Sequence, residues 1–288
     1  MVTKPSSHLN HLVKHAVGPT TAFPKGTGVY YIPNFVTAEE EAYLLRKIQE
    51  SPTQNWKQLK KRRFVCMDIF AITAKNVLLA KELPVFVSSY PDIISRLKAT
   101  GAFEGSPHGQ PNHIIMNEYL PGQGIMPHED GPAYHPVVAT ISLGGHAVFH
   151  YYRYAPDAST DGEPAPEGNY DSPAHASHGR RIDPKPVLTV LLEPRSVVIT
   201  TGTLYKTHLH GIRDITEDAF APAAPNGEPR LPDLDVELDN WALLADEETK
   251  AAIENGHTLP RATRYSLTCR DVAHVLKTGK LLGGIGRR

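Results

Sequence analysis

"NHIIMNEYLPGQGIMPHED", residues 112–130, decides how the chain is read. Its first half, rich in Ile with a Met and a Tyr, has the texture of a β-strand. The Pro121-Gly122-Gln123-Gly124 run that follows is a turn. Behind the turn stands His128-Glu129-Asp130. Strand alternation puts Asn117 and Tyr119 on one face, where both can hydrogen-bond an oxygen-rich ligand. The plainer alternative is an edge strand with polar side chains turned outward. By the same alternation His128 and Asp130 share a side.

Outward from that stretch the chain keeps a β texture. "VVATISLGGHAVFHYYRY" (137–154), "KPVLTVLLEPRSVVITTG" (185–202) and "RATRYSLTCRDV" (261–272) are rich in Val, Ile, Thr and Tyr, and turn residues bound them. Such a series of short strands predicts a sandwich or barrel. Upstream the reading changes. "GVYYIPNFVTAEEEAYLLRKIQE" (28–50) passes from a strand at Val29–Ile32 to a helix. Thr37 and Glu40 form a capping-box pattern at its start, and Ala42, Leu44, Leu45 and Ile48 give it an apolar face. "LPVFVSSYPDIISRLKATGAF" (83–103) predicts a turn and then a helix from about Pro91 to Ala99. The expected class is therefore α+β, mainly β, with helices first.

Two segments interrupt the β series. Residues 155–186 are Pro-rich and read as a disordered insert. Residues 214–262 are acidic and Pro-rich, with one helix expected within "DNWALLADEETKAAIEN". They read as an excursion between two strands. Its charge would repel phosphate, so it is expected to lie away from any nucleic-acid track. Residues 1–25 read as a flexible tail without the continuous apolar core of a signal peptide. Residues 26–288 then form one domain, expected to be a monomer. No apolar run approaches the roughly 20 residues that span a bilayer, so no membrane partner is expected. Cys66 and Cys269 stand far apart, which fits a reducing compartment and an expected location in cytoplasm and nucleus. A net charge of -1 means that any nucleic-acid contact must come from a local basic patch.

Fifteen histidines make a count uninformative, so spacing has to carry any metal reading. His128-x-Asp130 supplies the local half of a two-His-one-carboxylate triad, the ligand set of non-haem Fe(II) oxygenases. A second histidine must come from a distant strand. "THLHGI" (207–212) offers His208 and His210. His210 is preferred because Gly211 would let a metal and co-substrate come close to the backbone. His175 and His178 fall in the Pro-rich insert, a poor place for a preorganised ligand. In "RYSLTCR" (264–270) alternation places Arg264, Ser266, Thr268 and Arg270 on one face, and Tyr265, Leu267 and Cys269 on the other. A face of two arginines and two hydroxyls suits a dicarboxylate, or else a solvent-facing strand. "WKQLKKRRF" (56–64) sets Lys60, Lys61, Arg62 and Arg63 between Trp56 and Phe64, a composition suited to a nucleic-acid backbone and a flipped base, or simply a solvated basic turn.

Asn-x-Tyr, His-x-Asp, the distal His-Gly-Ile and Arg-Tyr-Ser-Leu-Thr-x-Arg together resemble the AlkB family of Fe(II)- and 2-oxoglutarate-dependent dioxygenases. "LLEPRSVV", the closing "LLGG" and residues 117–144 resemble most closely its eukaryotic homolog 6 group. The resemblance covers about residues 28–283 apart from the two inserts. It implies a double-stranded β-helix, a cupin-like jelly-roll, with supporting N-terminal helices and a nucleotide-recognition lid. It implies that His128, Asp130 and His210 ligate Fe(II). Asn117 and Tyr119 would hydrogen-bond 2-oxoglutarate, Arg264 would pair with its distal carboxylate, and Arg270 would lie near its metal-bound end. It further implies oxidative demethylation or dealkylation of alkylated DNA or RNA, as in DNA repair, with O2 and 2-oxoglutarate consumed. Lys60, Lys61, Arg62 and Arg63 would face the substrate. Two alternatives stand beside this: the same chemistry on a protein or small molecule, and a nucleic-acid-binding module with little activity. The two inserts depart from the family pattern and leave the loops near the site undefined.

Overall fold

The structure, a computed structural model, describes residues 12, 14–17, 28–66, 77–80, 82–156, 180–222 and 227–277. β1 (Val29–Ile32) leads into α1 (Ala38–Gln49). The Thr37 hydroxyl accepts from the Glu40 N–H and the Glu40 carboxylate accepts from the Thr37 N–H, so the expected capping box forms. A hairpin follows, β2 (Lys57–Leu59) and β3 (Arg62–Cys66), then β4 (Val77–Ala80). Two short helices come next, α2 (Val85–Ser88) and α3 (Ile93–Ala99). The β-rich half comprises β5 (His113–Tyr119), β6 (Ile125–His128), β7 (Tyr134–Gly144), β8 (Ala147–Tyr152), β9 (Leu188–Leu192) and β10 (Val197–Thr201). After α4 (Gly202–Thr207) come β11 (Leu209–Ile212), β12 (Glu217–Asp218), β13 (Arg230–Leu231) and β14 (Val236–Glu237). α5 (Glu247–Glu254), β15 (Leu259–Pro260), β16 (Arg264–Val272) and β17 (His274–Lys277) complete the described chain.

Two antiparallel sheets face each other as a jelly-roll. The larger runs β1-β10-β7-β16-β5-β3-β2 and the smaller β6-β11-β8-β9. The outer face of the larger sheet carries Ile114, Met116, Ile141, Leu267 and Cys269, buried against Leu44 and Ile48 of α1 and Ile93 and Leu97 of α3. Its inner face meets the smaller sheet through Tyr31, Val198 and Tyr151, and the Tyr151 hydroxyl is hydrogen-bonded to Thr200 Oγ1 at 2.5 Å across the gap. This two-sided burial explains why all nine residues of β16 are buried. Among the described residues no helix is long and apolar enough to cross a membrane.

The described residues refine three expectations about chain organisation. Within the tail expected over residues 1–25, Leu12, Ala16 and Val17 are buried, and Ala16 bridges Tyr30 of β1. Apolar burial beside an otherwise open sheet edge holds them there. In the Pro-rich segment 155–186, residues 157–179 lie outside the described residues. Its two ends are paired, with Tyr154 bridging Ile182 and the Ala155 N–H donating to Arg181 O. The acidic segment 214–262 runs between β11 and β16, carries α5, and is tied down at its neck. Arg261 makes two 2.8 Å bonds to Asp218, both buried, and β12 pairs β15, so its neck is closed. Within it, Asp239 and Asn240 bond the edge of β9: the Thr189 N–H donates to Asp239 Oδ2 and the Leu191 N–H to Asn240 Oδ1. An exposed strand edge is thereby covered.

Candidate metal and dicarboxylate site

The site begins with register. β16 pairs β5 so that Ser266 stands opposite Asn117, Arg264 opposite Tyr119 and Arg270 opposite His113. Cross-strand partners point to the same face of a sheet, so these side chains form successive rungs. Tyr265, Leu267 and Cys269 take the other face and join the helix-side core. A solvent-facing strand is excluded: Arg264 is 2% exposed and Arg270 6%. β7, on the far side of β16, adds Ser142, whose hydroxyl accepts from Arg264 Nη2 at 2.8 Å.

The facing sheet brings the remaining groups. β6 and β11 pair His128 with His210, and their ring centroids lie 4.3 Å apart. Asp130 follows β6 directly. One ligand atom from each of His128, Asp130 and His210 lies within 4.8 Å of the others. The His128 Nδ1–H can donate to Met126 O at 2.9 Å, which leaves Nε2 as the lone pair for a metal. Phe149 stacks on His210 at 5.4 Å and fixes its ring. His208, the other candidate, bonds its neighbour Thr207 and is not in the cluster. His175 and His178 lie outside the described residues. Gly211 has a different cause from the one expected. A Cβ there would meet Ile125 O at 2.9 Å and Pro127 N at 3.0 Å, so the backbone of β6 requires the glycine.

The electrostatics suit a cation and an anion side by side. Arg270 Nη2 donates to Asp130 Oδ1 in a buried ion pair. Burial pushes the Asp130 carboxyl up, but Arg270, His210 and His128 together bring it down to about 2. Burial lowers His210 to about 3, helped by the neighbouring His128, so it offers a neutral nitrogen. Burial also lowers Arg264 to about 10, and among the described residues no carboxylate compensates it. Several buried polar atoms have no hydrogen-bond partner among the described residues: Asp130 Oδ2, Arg264 Nε, Arg270 Nε and Nη1, and the Tyr205 hydroxyl. Buried donors and acceptors left unpaired are costly. A divalent cation on the open Asp130 oxygen and a dicarboxylate between the two guanidinium groups would satisfy them. The donor set therefore fits Fe(II) and 2-oxoglutarate.

The basic stretch behaves less simply. β3 pairs β5, with Phe64 opposite Asn117 and Arg63 opposite Glu118. Arg63 makes two 2.6 Å bonds to Glu118 and lies 4.5 Å over the Trp56 ring. Arg62 Nε donates to Asn117 Oδ1 at 3.2 Å. Lys61 pairs with Asp214, which brings the acidic segment against the basic turn instead of away from it, since opposite charges attract across the gap. Lys60 is exposed. Sequence reasoning overlooked Ser142, Tyr134 and Tyr205. The Arg270 guanidinium lies 4.8 Å from the Tyr134 ring centroid, and Tyr205 presents its buried hydroxyl near Asp130. Alternation along "VVATISLG" places Ser142 on the inner face, whereas nothing local marks Tyr205 on α4.

The family model of the 2OG-Fe(II) oxygenase superfamily matches residues 28–270. A probable RNA/DNA demethylase ALKBH6 from Danio rerio is 34% identical over 88% of this chain and 90% of its own length. An alkylated DNA repair protein ALKBH8 homolog from Arabidopsis thaliana is 32% identical over 44% of this chain and 37% of its own. The solved structure of OsALKBH1 is 15% identical and covers 85% of this chain and 98% of its own, with a TM-score of 0.44.

Proposed function

The chain belongs to the 2OG-Fe(II) oxygenase superfamily, and from that premise we propose that it oxidatively demethylates or dealkylates alkylated nucleic acid, DNA or RNA, acting as a monomer in cytoplasm and nucleus and serving damage removal. Fe(II) bound with 2-oxoglutarate and O2 supplies the oxidising chemistry, and the protein supplies ligands, orientation and a dry setting. His128, Asp130 and His210 would hold the metal. Asn117 and Tyr119 would hydrogen-bond 2-oxoglutarate. Arg264 would bind its distal carboxylate, and Arg270, already tied to Asp130, would orient the metal-proximal end.

The single observation that carries the oxygenase chemistry is the set of buried guanidinium donors without partners among the described residues, opposite a His-Asp-His cluster whose carboxylate has one oxygen likewise without a partner there. A structural ion-pair network would have satisfied those atoms internally. The nucleic-acid substrate is supported by the name of the Danio rerio relative and by the basic hairpin at 57–66. Succinate release with Fe(II), 2-oxoglutarate and a panel of methylated oligonucleotides tests it, with His128→Ala as control. The expected result is substrate-dependent turnover in the wild type alone. Equal background from both proteins on every oligonucleotide would sink it.

One observation favours a second reading, the same chemistry on a protein or small molecule. Lys61, Arg62 and Arg63 have internal partners, which leaves Lys60 as the least engaged cation of the four. Nucleic-acid titrations against salt separate the two readings, because each phosphate contact contributes to the salt slope. A flat dependence would favour the second.

A further inference from the structure

We propose that Arg62 is a positioning residue for the co-substrate: by holding the Asn117 amide oxygen it turns the Asn117 NH2 toward 2-oxoglutarate and couples the β2–β3 hairpin to co-substrate binding. The inference rests on the proposed role of Asn117 at the 2-oxoglutarate subsite. Three observations lead to it. Arg62 lies on the inner face of β3. Its alternate neighbour Phe64 stands opposite Asn117, and alternation puts Arg62, two residues before it, on the same face. Arg62 Nε donates to Asn117 Oδ1 at 3.2 Å, and among the described residues its side chain makes no other hydrogen bond or ion pair. Asn117 is 8% exposed, so its amide has little access to water.

An asparagine side chain has one acceptor end and one donor end, and the two are interchanged by a half-turn of the amide. The acceptor end is useless to a carboxylate or keto oxygen. A cation on the acceptor end removes that ambiguity, because a guanidinium can only donate. Arg62 therefore selects the orientation in which Asn117 offers N–H groups to an oxygen-rich ligand. Its neighbours fasten the same hairpin to the same strand, since Arg63 is paired twice with Glu118. Displacement of the hairpin by a bound substrate would release the amide, so hairpin position and co-substrate affinity are linked and the linkage is reciprocal.

The test measures binding without turnover. 2-Oxoglutarate is titrated calorimetrically into Mn(II)-loaded protein, for wild type, Arg62→Ala, Arg62→Lys, Asn117→Ala and the Arg62→Ala/Asn117→Ala double variant. The expected result is a dissociation constant raised about tenfold by Arg62→Ala, the scale of one hydrogen bond, with partial rescue by lysine. Arg62→Ala should add nothing in the Asn117→Ala background, since it acts through that amide. Additive effects of the two substitutions, or an Arg62→Ala affinity equal to wild type, would overturn the proposal. So would an unchanged 2-oxoglutarate affinity with a reduced nucleic-acid salt slope, which would make Arg62 a phosphate contact. Failure of the wild type to bind Mn(II) and 2-oxoglutarate at all would instead overturn the function on which the proposal rests, and the proposal with it. Arg62→Lys and circular dichroism of each variant guard against misfolding as the cause.

Discussion

Arg264 and Arg270 show what a residue can disclose before a structure exists. Alternation within "RYSLTCR" assigns both to one face from spacing alone. Burial is what distinguishes a ligand-binding face from a wet one, and burial depends on the sheet opposite. Arg264 is 2% exposed and its Nε has no partner among the described residues, which fits a bound anion as its counterpart. Arg264→Ala is accordingly expected to raise the dissociation constant of 2-oxoglutarate by about 30-fold or more, the cost of removing one partner of a buried charge pair. Calorimetry on Mn(II)-loaded protein checks this, and an unchanged affinity would refute the role. His210→Ala should abolish Mn(II) binding followed by electron paramagnetic resonance, because two remaining ligands do not make a facial triad. His208→Ala should leave that signal intact. Spacing alone leaves both histidines as candidates, and the register of β11 against β6 sets His210, not His208, opposite His128.

At the scale of elements, α1 was legible because capping chemistry and apolar period agree at Thr37, Glu40, Leu44 and Ile48. Thr37→Ala is expected to cost about 1 kcal/mol of stability in denaturant unfolding. The hairpin β2–β3 was legible as basic but not as engaged. Its positive charges meet Asp214, Asn117 and Glu118, residues between 55 and 153 positions away, and no local pattern can show that. Lys60→Ala should therefore lower the nucleic-acid salt slope by about 1 if the hairpin carries the contact. Arg63→Ala should instead lower thermal stability, through Glu118 and Trp56. The edge lock at β9 offers a pH test. Burial raises Asp239 to about 7, above its usual carboxylate value, despite the Thr189 N–H bond. A raised folded-state pKa means that the folded state holds the proton longer. Stability is then lost as pH rises from about 4 to about 7. Asp239→Asn, which keeps the acceptor, should raise the melting temperature at pH 8 and leave it unchanged near pH 4. A shift of the same size at both pH values would refute this account.

The whole molecule is a jelly-roll whose two sheets carry complementary halves of one site. The larger sheet holds the polar and guanidinium groups, and the smaller holds the two histidines and leads into Asp130. Ligands that bind only this folded arrangement must stabilise it. Mn(II) with 2-oxoglutarate at about 100 times their dissociation constant should add about 2.7 kcal/mol, seen as a raised melting temperature that a chelator reverses. No shift would contradict the assignment of the site.

The sequence by itself determined what is written in short periods: the strand alternation of Asn117, Tyr119 and residues 264–270, the cap at Thr37, and the His-x-Asp pair. Backbone geometry repeats every two or 3.6 residues, so these features need no knowledge of distant chain. The tertiary structure alone decided the partners. It brought His210 to His128, Arg270 to Asp130, Arg62 to Asn117 and Leu12 to the core. It also set Asp214 on Lys61 and closed the acidic segment through Asp218 and Arg261. Those contacts join residues far apart in the chain, and they form only because packing two sheets buries apolar surface and brings distant enclosed groups within reach of one another.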